Sequence, residues 1–185
     1  MATPSVAHMS AIPAAPERVD PPLAGDEKST LLGFLDFHRD TLRMKTAGLT
    51  ADQLNATHAP STMTLGGMLK HLALVEHWWF ACVFLGQEYA EPWDSIDWRE
   101  DADWDWHSAV DDTPDELRSL FDRACAESAA IVAQVDDWGT LSVRSSREGD
   151  SFSLRWIVAH MIEEYSRHNG HADLIRESID GETGE

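Results

Sequence analysis

Hydrophobic positions recur at helical spacing along most of this 185-residue chain, and four long segments carry the pattern. The first spans about 28–47, where Leu31, Leu32, Leu35, Leu42 and Met44 form one apolar face. The second, TLGGMLKHLALVEHWWFACVFL over 64–85, is apolar almost all round, as in a helix buried on every side, and stops at Gly86. The third opens at Thr113-Pro114, an N-cap followed by proline at the first helical position, and runs to about Val135. Ser153 caps the fourth, which continues to about Ile179 and ends before Gly181. A short extra turn is predicted after Thr50, where TADQ matches the Thr-x-x-Gln capping box.

Two stretches break the pattern. Residues 87–112 place Trp93, Trp98, Trp104 and Trp106 among many acidic residues with no sustained helical period. A connection of that length is uncommon in a compact domain. Its tryptophans predict an ordered loop folded onto the helices, either over a pocket or as a plain solvated connection. The polar stretch 136–152 crosses to the last helix; residues 140–143 have strand character, but one short run makes no sheet. The predicted fold is all-α, a four-helix bundle with two long connections. Residues 1–25, proline-rich and without period, read as a flexible leader ahead of a bundle domain over 26–185.

The net charge of −19 changes the list of partners. Nucleic acid needs clustered Lys and Arg, and anionic membranes attract basic surfaces, so neither is expected. No apolar run reaches the ~18 residues of a membrane span, and the N-terminus lacks a signal-peptide layout. Cys82 and Cys125 lie within predicted helices among apolar neighbours, as buried thiols of a reducing compartment do. A cytoplasmic protein is expected.

The chemistry concentrates in the last helix, HMIEEYSRHNGHADLIR over 160–176. At about 100° per residue, His160, Glu164, His168 and His171 share one side of it. One helix face cannot enclose an ion, so a ligand must come from elsewhere. His71, at the centre of MLKHLALVEHW, shares a stripe with Leu74, Val75 and Trp78; His77, about 240° round, falls on the rim. The candidate centre is therefore His71 with Glu164 and His168, the latter two one turn apart. Two imidazoles and a carboxylate leave coordination positions open, as catalytic sites do. The competing reading is a hydrogen-bonded polar interior without metal. Zinc, nickel, iron(II) and manganese all suit the donor set. His160 is a supporting or pocket residue, or a fourth ligand. His171 reaches the site edge or bonds across the helices. Asp173 and Arg176 orient these histidines, or form an ordinary ion pair. Trp78 belongs to the core or to a pocket wall.

Three segments carry a family resemblance: GLTADQL (48–54), PSTMTLGGMLKHLALVEHWWF (60–80) and HMIEEYSRHNGHADLIRESIDG (160–181). In order, spacing and helix placement the chain resembles the DinB/YfiT-like metal-dependent bundle superfamily, in its actinobacterial-type branch. The resemblance implies one divalent ion, zinc foremost, held by His71, Glu164 and His168. Many relatives carry His-x-x-x-His where this chain has Glu164, a departure similar to mycothiol-dependent maleylpyruvate isomerases. The additional C-terminal domain of those isomerases is not expected here. Relatives of similar length include S-transferases that join a low-molecular-weight thiol such as mycothiol to an electrophile. Bundles of this kind often pair their apolar faces, so a homodimer is expected. The resemblance thus implies a metal-dependent thiol transferase acting on small molecules. A hydrolase or isomerase on the same site, or a non-catalytic binding or dimerisation bundle, are the alternatives.

Overall fold

A computed structural model describes residues 18–184. Its helices begin where the sequence supplies caps. Asp26 accepts from the Ser29 amide ahead of α1 (Glu27–Thr46). Thr50 and Gln53 form a reciprocal capping box on α2 (Ala51–Leu54), and Thr64 caps α3 (Leu65–Glu76). After α4 (Trp104–His107), Thr113 and Glu116 form a second capping box on α5 (Pro114–Ala133). Ser153 caps α6 (Leu154–Asp180), which ends on Gly181 in the left-handed conformation at φ 78°.

The predicted 64–85 helix is continuous but changes register. Beyond Glu76 it becomes a π-helical segment, His77–Phe84, closed by Leu85 N donating to Phe80 O five residues back. Each such turn takes in one more residue than an α turn. Gly86, at φ 74°, ends it.

α1 lies along α6 and α3 along α5, and α3 also touches α1 and α6. Leu35 and Leu42 of α1, Leu65, Met68, Leu69 and Leu72 of α3, Phe121 of α5, and Ile157, Met161 and Tyr165 of α6 form the buried centre. Within it lies a polar knot. Arg39 of α1 grips Glu76 of α3 with two hydrogen bonds, Nε to Oε1 at 2.7 Å and Nη2 to Oε2 at 2.8 Å. Tyr165 of α6 donates to the same Oε1 at 2.7 Å, and Cys125 of α5 lies 3.8 Å from it. Glu76 and Tyr165 have no exposed surface.

The all-α expectation needs one correction. Leu141–Ser145 (β1) pairs antiparallel with Ser151–Ser153 (β2). The second strand, Ser-Phe-Ser, is too short to show alternation; at the irregularity between the paired ends Ser142 Oγ accepts from Phe152 N at 2.9 Å. Gly149, at φ 93°, turns the chain between the strands. The 87–112 connection is packed, as expected. Trp93 is buried against Ala73 and Ala124, with Tyr89, Trp98 and Trp104 around it, a second apolar cluster on α3 and α5. Most of the predicted leader, residues 1–17, lies outside the described residues; Arg18, at their start, rests over the Phe37 ring at 4.7 Å. No helix of the described residues is long and apolar enough to cross a membrane.

Candidate metal centre

His71, Glu164 and His168 converge. One ligand atom of each lies within 4.8 Å of the others, and the two imidazole centroids are 5.0 Å apart. Met68, Leu69 and Leu72 of α3 are sunk in the core, and this packing leaves the half-buried His71 at the α3–α6 seam. α6 delivers the other two one turn apart, with Tyr165 between them anchored in the polar knot.

His168 is held in the form that a metal ligand needs. Burial, aided by His71, His171 and Arg167, pulls the His168 ring down to about 4, although Glu164 Oε2 lies 3.7 Å from its Nε2. The ring is therefore neutral at pH 7, the form that binds metal. Its Nδ1 is buried without a hydrogen-bond partner. A carboxylate and two imidazoles, one of them with an unsatisfied ring nitrogen, fit a borderline divalent ion such as zinc.

The four other residues of α6 that the sequence singled out separate in the structure. His160 does stand next to the centre, its Nε2 3.4 Å from Glu164 Oε1 and its Nδ1 3.2 Å from Glu163. Trp156 stacks on its ring at 5.0 Å and Trp79 meets it edge-on at 4.8 Å. His171 is exposed, 6.3 Å from the His168 ring. Asp173 and Arg176 turn to α1 instead. Asp173 pairs with Lys45 at 2.8 Å, and Arg176 donates to the Lys45 and Ala47 carbonyls at 3.1 Å, filling the open end of α1. Trp78 lies just past the change to π register and stacks on Tyr89 at 5.5 Å, with Arg144 on its ring.

Two residues at the centre escaped the sequence reading, and both belong to α4. Asp105, 3% exposed, accepts from His71 Nδ1 at 2.7 Å. Trp106 stacks on His71 at 4.7 Å and lies 5.6 Å from His168. The one signal for them was the Gly66-Gly67 pair inside a helix: a Cβ on Gly67 would stand 2.7 Å from Trp106 Cε3. The glycine is the space that the indole fills.

Neither cysteine is a nucleophile at neutral pH. Both are buried; burial raises the Cys82 thiol and, together with Glu76, pushes Cys125 up to about 12. No curated protein matches this chain. A sequence model of a family does: the one described as Mycothiol-S-transferase covers residues 30–181, from the first turn of α1 through α6, and the chain belongs to that DinB-like family.

Proposed function

We propose that the chain is a divalent-metal-dependent S-transferase that joins a low-molecular-weight thiol of the mycothiol type to an electrophile. The convergence of His71, Glu164 and His168 into one donor set carries this reading, and the family membership supplies the thiol. When bound, a divalent ion at such a set lowers the pKa of a coordinated thiol and favours the thiolate. His71 and His168 would offer it ring nitrogens and Glu164 a carboxylate oxygen. His160, fixed between Trp156 and Trp79, holds Glu164 from the other side. In the transfer the thiol sulfur bonds to an electrophilic carbon, the leaving group departs with its bonding pair, and the thiol proton is released. The inert Cys82 and Cys125 support a thiol that comes from outside the chain.

This reading carries a four-helix bundle with it, its members being α1, the α3–π unit, α5 and α6; their pairings support it. Zinc is the proposed ion. Two free buried cysteines suit the reducing cytoplasm. Exposed Leu85, Leu141, Val143 and Trp156, on and beside the hairpin, support a homodimer.

The test combines metal analysis with a conjugation assay that follows the thioether by mass spectrometry, using mycothiol and a model alkyl halide. The native chain should retain about one ion and form conjugate. His168→Ala should lose the ion and at least ~100-fold in kcat/KM, since such ions contribute several kcal/mol. If His168→Ala keeps both, the assignment is wrong. An ion retained without any conjugate would turn the reading to hydrolysis or isomerisation at the same site.

A further inference from the structure

The 87–112 connection is pinned to one short stretch of α3. Lys70 forms an ion pair with Asp112, beyond α4, and its ammonium lies 4.4 Å over the ring of Trp104, at the start of α4. His71, the next residue, takes Asp105 on one edge and Trp106 on one face. Gly67, one turn earlier, leaves the room that Trp106 occupies. A helical turn of four residues is thus fastened at its first residue, within and after itself, and its inner side meets two of the proposed ligands, His71 and His168.

We propose that α4 is the positioning element of the metal centre, with Asp105 holding the proton of His71 on Nδ1 so that Nε2 is presented to the ion. This rests on the metal reading above. The acidic residues of this connection are otherwise at least partly exposed; Asp105 is the buried one. Burying a carboxylate against one neutral imidazole is costly in isolation. The arrangement becomes favourable when a cation sits on the far side of that imidazole, because the carboxylate then faces positive charge through the ring. An ionised carboxylate only accepts, so the ring nitrogen that touches Asp105 must carry the proton. Trp106 fixes the remaining freedom, the plane of the ring, and borders His168 as well. Asp105 and Trp106 are positioning residues, acting through His71.

Two measurements on the full chain test the assignment. Nitrogen-15 NMR of the metal-free protein reads the His71 tautomer, and Co²⁺ titration against a chromophoric chelator reads affinity and the visible spectrum of the site. The native chain should show a protonated Nδ1 and a bare Nε2 on His71. Asp105→Ala should give mixed tautomers and bind Co²⁺ about 10–100-fold more weakly. Asp105→Asn keeps an acceptor, so it should retain the tautomer and lose less. Lys70→Met loosens the connection without touching the His71 hydrogen bond and should leave the tautomer in place. An Asp105→Ala chain with native tautomer and native affinity overturns the proposal. So does a Lys70→Met chain that reproduces the Asp105→Ala losses, since packing alone would then account for them. A native chain that binds no Co²⁺ defeats the metal reading; the tautomer then decides the role of Asp105, its loss in Asp105→Ala sustaining positioning and its persistence refuting it.

Discussion

His168 links the site to the stability of the fold. Its folded-state value of about 4 lies below the ordinary 6.5, so on acidification the unfolded chain takes up this proton first. The stabilisation from keeping the ring neutral is complete above pH 6.5 and is lost as pH falls from 6.5 towards 4. The metal-free native chain should therefore lose Tm across that window more steeply than His168→Gln, which has no such proton to gain. Parallel Tm profiles for the two would contradict the depressed value. Cys125 illustrates the opposite displacement: desolvation removes its thiolate altogether.

At the scale of elements, two helical glycines that look alike in the sequence have opposite meanings. Gly170 in α6 has nothing within 4 Å of an added Cβ. Gly170→Ala should stabilise by about 0.5–1 kcal/mol, the backbone entropy that glycine forfeits in a helix. Gly67→Ala gains the same helix preference but drives a methyl into Trp106. It should destabilise by about 1–3 kcal/mol as overpacking and weaken metal binding through the displaced α4. Chemical denaturation of both variants, each with and without Zn²⁺, separates the two cases. Local signals made most elements legible. Thr50, Thr113 and Ser153 cap where capping chemistry says they must. β2 was illegible because Ser151 to Ser153 hold too few residues for a period to appear. The π register was illegible because His77–Phe84 is apolar in any helical geometry.

At the scale of the molecule, the convergence of the candidate donors was legible because His71 shares an apolar stripe that His77 does not, and Glu164 and His168 stand one turn apart. Its support was not. Asp105 is one acidic residue among many in an aperiodic connection. Arg176 is no part of that support; it serves carbonyls at the end of α1 that carry no sequence signature. The polar knot was equally hidden, since its members are 37 and 89 positions apart. Arg39→Met leaves Glu76 buried and facing Tyr165 without its cation, and should cost about 3–5 kcal/mol. Urea denaturation measures this; a loss under about 1 kcal/mol would mean that water reaches Glu76 in the folded chain.

The same knot governs how the molecule comes apart. Arg39, Glu76, Cys125 and Tyr165 sit on four different helices, and all four side chains meet around one carboxylate. If α1 detaches, Glu76 loses its cation; if α6 detaches, Tyr165 no longer donates to it. Partial opening therefore strands a charge in an apolar interior, whereas complete opening lets water reach every group at once. The deepest amides of α1, α3, α5 and α6 thus belong to one exchange unit with a common opening free energy. The hairpin and the outer turns of the 87–112 connection, which hold no part of the knot, are left to open on their own.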